Sequence, residues 1–64
     1  MKEFAEQLKR IQKERGITQK QMAEIVGVSQ NTISSYMRDI KSPTLDMVAR
    51  FAKALNVSID YLCG

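Results

Sequence analysis

Histidine is absent from this chain of 64 residues, and cysteine occurs once, at Cys63. The side chain that most often moves protons near neutral pH is therefore missing, and a lone thiol forms neither an internal disulfide nor a metal site. No paired carboxylates stand where acid–base or nucleophilic chemistry could use them. Neither enzymatic activity nor a cofactor or metal is expected. No run of about 18 apolar residues occurs, so no membrane-spanning helix is expected. The first ten residues, MKEFAEQLKR, carry acids and lack an apolar stretch, which argues against a secretory leader. A cytoplasmic protein without a membrane partner is the expectation. No stretch alternates with a period of two over a useful length, so strands are not expected. Internal repeats and low-complexity segments are absent too.

Proline occurs once, at Pro43, and the three glycines stand at 16, 27 and 64. Both residue types punctuate structure, so these positions suggest element boundaries. Apolar residues make up 44% of the chain, enough for one small domain over residues 1–64 with a core near the lower limit of self-sufficiency. Ten Lys and Arg against seven Asp and Glu give a net charge of +3. That excess is compatible with a polyanionic partner and does not establish one.

Between the punctuation the apolar spacing is helical and predicts five helices. The first runs from Lys2 to Arg15 with Phe4, Leu8 and Ile11 on one face, and Gly16 ends it. Thr18 and Gln21 form a capping box for the second, which runs to Val26 with Met22, Ala23 and Val26 inward. Gly27 ends it, Val28 is a buried staple, and Ser29 caps a third helix from Gln30 to Met37 with Ile33 and Tyr36 inward. A polar loop covers Arg38–Pro43. Thr44 caps the fourth helix, Leu45 to Leu55, whose expected face is Leu45, Val48, Ala49, Ala52 and Leu55. Asn56 takes a left-handed exit and Ser58 caps a short last helix, with Ile59 and Leu62 closing the core. The methionines at 1, 22, 37 and 47 share no stripe, and Met22 and Met47 read as core filler. Cys63 reads as an inert thiol.

The connection Gly27-Val28-Ser29 is short enough to force a sharp crossing of the second and third helices, as in a helix-turn-helix. Ala23 must be small where the third helix crosses it, Gly27 must accept positive φ, and Ile33 must be apolar. With these residues, the chain resembles the phage-repressor (Cro/cI-like, XRE) helix-turn-helix family. The resemblance runs from Leu8 to Leu62 and includes Arg15-Gly16-Ile17-Thr18-Gln19, Ser42-Pro43-Thr44-Leu45 and Leu55-Asn56-Val57-Ser58-Ile59-Asp60-Tyr61-Leu62. No single piece is specific; the ordered set with unbroken spacing is. It implies an all-α, compact five-helix bundle of the lambda-repressor-like DNA-binding type. The implied function is sequence-specific binding of double-stranded DNA as a transcriptional regulator, a repressor, with the third helix in the major groove.

On that helix Gln30, Asn31, Ser34 and Ser35 are the expected base-facing residues. Gln and Asn pair bidentately with adenine, each pair discriminating by about 1–3 kcal/mol; Ser35 is shorter and reaches a base through water. The resemblance implies that Gln19, at the positive end of the second helix, holds a phosphate and steadies Gln30. Ser29, Thr32, Arg38, Lys41 and Ser42 are further phosphate candidates, with Lys20 and Arg10 weaker ones; such contacts position without specifying sequence. The basic residues of the first helix, Lys9, Arg10, Lys13 and Arg15, are interspersed with acids and read as a solvated face. The run QNTISS carries no charge, whereas a merely solvent-facing helix would more usually show Glu or Lys.

Two positions depart from the family pattern. An Arg and a Glu, often paired there between the first and third helices, are replaced by Gln12 and Met37. Losing both charges strands neither, and a Gln12–Met37 contact is expected instead. Asp39 stands where Gly is usual after the third helix. A homodimer on a pseudo-palindromic operator is implied, with half-sites about 34 Å apart and a dimer surface on the fourth and fifth helices near Val57, Ile59 and Leu62. The alternative is a protein-interaction or antitoxin-like subunit using the same fold, which would expose apolar residues on the third helix. The 64 residues leave open a complete short regulator or the N-terminal domain of a longer repressor.

Overall fold

The computed structural model describes residues 2–64, and Met1, one of the four methionines considered above, lies outside the described residues. Five α-helices, α1 (Lys2–Arg15), α2 (Gln19–Val26), α3 (Gln30–Met37), α4 (Leu45–Leu55) and α5 (Ile59–Cys63), make up all the regular structure among the described residues. Hydroxyl side chains start four of them. Thr18, Ser29, Thr44 and Ser58 each accept a hydrogen bond from the backbone N–H three residues on. At Thr18 the box is reciprocal, because its own N–H donates to Gln21 Oε1 at 2.8 Å. Each cap satisfies a donor that a helix start leaves without a partner, worth typically about 1 kcal/mol. Left-handed residues end α2 and α4, at Gly27 (φ +83°) and Asn56 (φ +58°).

The helices close around one core that includes Phe4, Leu8, Met22, Ile33, Val48, Phe51, Leu55 and Leu62, all at most 2% exposed. Its centre is a trio of rings from three helices. Phe4, Tyr36 and Phe51 meet pairwise edge-to-face with centroids 5.2–5.7 Å apart, the arrangement that ring quadrupoles favour. Tyr36 is therefore a core residue, and through it α3 is fastened to α1 and α4. Val28 and Met47 are partly buried against the same cluster.

Two expectations about the core need correction. Leu45 is 72% exposed and Ala49 is also exposed, while Phe51, not assigned to the α4 face from the sequence, is wholly buried. At about 100° per residue, the stripe Val48, Phe51, Ala52 and Leu55 is centred about 50° away from the stripe that includes Leu45 and Ala49. The large ring of Phe51 decides the rotation, since burying it removes far more apolar surface from water than burying Ala49. Ile59, in the first turn of α5, is 41% exposed and does not close the core; Leu62 does so, with Tyr61 partly buried against the same cluster. Leu62 is thereby also removed from any dimer surface. Separately, Gln19 Nε2 donates to the Met37 sulfur at 3.4 Å, a contact that the sequence did not suggest.

Candidate nucleic-acid interface

The ring trio and Ile33 settle which side of α3 faces outward. Ile33, Tyr36 and Met37 are buried, and at about 100° per residue the opposite face carries Asn31 and Ser35, flanked by Ser34. Gln30 lies toward the Met37 edge at the helix start. Gln30 and Asn31 are exposed, and Ser34 and Ser35 are half-buried. The first turn of α3 contains no acid. The face therefore offers amide donors and acceptors with no carboxylate among them.

Ser29 and Thr32 are brought together at the start of α3. Ser29 Oγ accepts the Thr32 N–H at 3.1 Å, and the two hydroxyls lie 2.8 Å apart. One O–H is used between them, which leaves the other to donate outward beside the positive end of the helix. Gln19 and Lys20 open α2, Gln19 half-buried and Lys20 exposed. The Gln19 amide is turned to Met37, at the far end of α3 from Gln30.

After α3 the chain is held down by its own carbonyls. Ile40 N–H and Lys41 N–H both donate to Ser35 O, at 3.0 and 3.4 Å, and Asp39 takes φ +54°. Asp39 thus adopts the left-handed conformation for which glycine is the usual residue, at the modest penalty Asp carries there. Arg38, Lys41 and Ser42 are exposed on this loop. Arg10 lies on α1 beside Glu6, Lys9 and Lys13 along one shallow depression, a face of mixed sign.

One residue of this region was not legible in the sequence. Arg50, on α4, donates from Nε to Val26 O at 3.1 Å and from Nη2 to Gly27 O at 3.0 Å, gripping the turn between α2 and α3. The available signal was indirect: α2 has no basic residue in its own last turn to complement its carbonyl end.

A three-residue connection between α2 and α3, a left-handed glycine within it and an uncharged polar outer face on α3 define a helix-turn-helix domain of the lambda-repressor-like, DNA-binding type. A family model described as "Helix-turn-helix" matches residues 2–62, and the chain belongs to that family. It is 37% identical over 61 residues to the HTH-type transcriptional regulator ImmR of Bacillus subtilis, covering 95% of this chain and 48% of that protein. It is 40% identical over 47 residues to the cryptic phage CTXphi transcriptional repressor RstR of Vibrio cholerae, covering 73% of this chain and 42% of that one. A solved HTH_3 family transcriptional regulator from Vibrio cholerae superposes with a TM-score of 0.88 at 30% identity, over 95% of this chain and 34% of its own. The chain spans about half the length of the curated relatives it matches. No helix among the described residues is long and apolar enough to cross a membrane.

Proposed function

We propose that this domain binds double-stranded DNA in a sequence-specific way as part of a transcriptional repressor, with α3 in the major groove. The observation that carries the reading is the polar surface of α3, where Gln30 at the helix start and Asn31 on the outer face are exposed, with no acid in the first turn, while every large apolar side chain of the helix is buried. Gln30, Asn31, Ser35 and Ser34 are the base-facing residues. On this reading Gln19, Ser29, Thr32, Arg38, Lys41, Ser42 and Lys20 meet phosphates. Relatives named as transcriptional regulators and as a phage repressor support the same reading.

The operator is taken as a pseudo-palindrome bound by two copies. The domain is 23 Å along its longest axis, whereas half-sites read from one side of the duplex are about 34 Å apart, so one domain cannot occupy both. The protein-interaction alternative requires apolar residues on the outer face of α3, and Ile33, Tyr36 and Met37 are all buried.

Selection of bound duplexes from a random pool, followed by a salt titration on the selected sequence, tests this reading. A defined consensus with affinity falling steeply as salt rises is expected. An enriched pool without consensus, or affinity indifferent to salt, would remove it.

A further inference from the structure

A helix C-terminus presents carbonyls without intrahelical partners and a partial negative charge. In α2 the Ala23 carbonyl is taken by Gly27 and Val28 N–H groups, at 2.8 and 3.0 Å. The carbonyls of Val26 and Gly27 both accept from Arg50, which stands 24 and 23 residues further along the chain. A guanidinium meets two carbonyls at once with a rigid fork, which an ammonium on a flexible stem cannot match. Room for the fork comes from Gly27 itself: a Cβ there would lie 3.0 Å from Arg50 Nη2. The bond partners therefore couple α4 to the turn that sets how α3 leaves α2.

We infer that Arg50 is a positioning residue for DNA recognition. Held on α4, it fixes the turn at Val26–Gly27 and so sets the attitude of Gln30 and Asn31 toward the groove, without itself touching DNA. The inference rests on the DNA-binding reading above.

The test compares the wild type with Arg50→Met, which keeps the apolar stem, and Arg50→Lys, which keeps the charge. The probes are a duplex selected by the wild type and a scrambled duplex of the same composition. In the free protein, amide hydrogen exchange at Gly27 and Val28 should quicken in Arg50→Met while α1 amides hold their rates. Affinity for the selected duplex should fall about tenfold, the size of one good base contact, with a change of less than about twofold on the scrambled duplex and no change in salt slope. Arg50→Lys should fall between the two, and it carries the same comparison if the methionine variant does not fold. Equal losses on both duplexes with a salt slope lower by about one would make Arg50 a phosphate ligand and overturn the inference. Uniformly faster exchange over all five helices would make it a general stability residue, with the same consequence. Unchanged selectivity in Arg50→Met removes the inference alone, whereas a wild type that selects no duplex removes the DNA reading beneath it.

Discussion

Gly27 does two things at one position: it turns the chain at φ +83°, and it leaves space for the Arg50 guanidinium. An alanine there meets left-handed strain of about 1–2 kcal/mol and crowds Nη2 as well. Gly27→Ala should therefore lower the denaturant midpoint and, by disturbing the grip of Arg50, reduce DNA selectivity; a variant as stable and as selective as the wild type would contradict the geometry. Ser29→Ala removes the acceptor for Thr32 N–H and should cost about 1 kcal/mol of stability, measured in the same denaturation experiment. Lys41 is exposed on the loop after α3 and assigned to the backbone of the duplex. Lys41→Ala should weaken selected and scrambled duplexes alike and lower the salt slope by about one. A loss confined to the selected duplex would transfer Lys41 to the base readers.

At the scale of elements, the ring trio makes α3 a rigid platform, since Tyr36 is locked between Phe4 on α1 and Phe51 on α4. Phe51→Ala should cost about 3–5 kcal/mol. Domains of this size have about 3–10 kcal/mol in total, so thermal melting should show a protein that is largely unfolded or close to it. Leu45→Ala, at a side chain 72% exposed, should stay within about 0.5 kcal/mol of the wild type. The reverse order would restore the stripe expected from spacing alone. That contrast also marks what the sequence could convey. Caps, glycines and spacing are local signals, and from them the five helices and the turn at Gly27 were legible with their bounds. The rotation of α4 about its axis depended on which side chain wins the core, and spacing alone left Phe51 out. Within the site, the polar face of α3 was legible because Ile33 and Tyr36, read as inward from their spacing, define its opposite; the burial of Met37 beside them was not read. Arg50 and the Gln19–Met37 contact were not, because both are set by how distant helices pack.

At the scale of the whole domain, the proposed operator with half-sites about 34 Å apart calls for two copies, since one domain is 23 Å along its longest axis. With Leu62 buried, the surface left for pairing near α5 is Ile59, 41% exposed, and the half-buried Val57. Ile59→Asp should reduce binding to a duplex carrying both half-sites and leave binding to a single half-site unchanged. Sedimentation of the wild type on the two-site duplex should give two copies per duplex, and a strict monomer there would remove the dimer. The most direct test of α3 as the reading element is competition between the selected duplex and single-base variants for the wild type and Gln30→Ala. The wild type should discriminate at the contacted base by about 1–3 kcal/mol, and Gln30→Ala should lose that discrimination at one position while keeping it at the others. Even loss of affinity across all variants, with the preference at every position intact, would contradict the assignment of base reading to the start of α3.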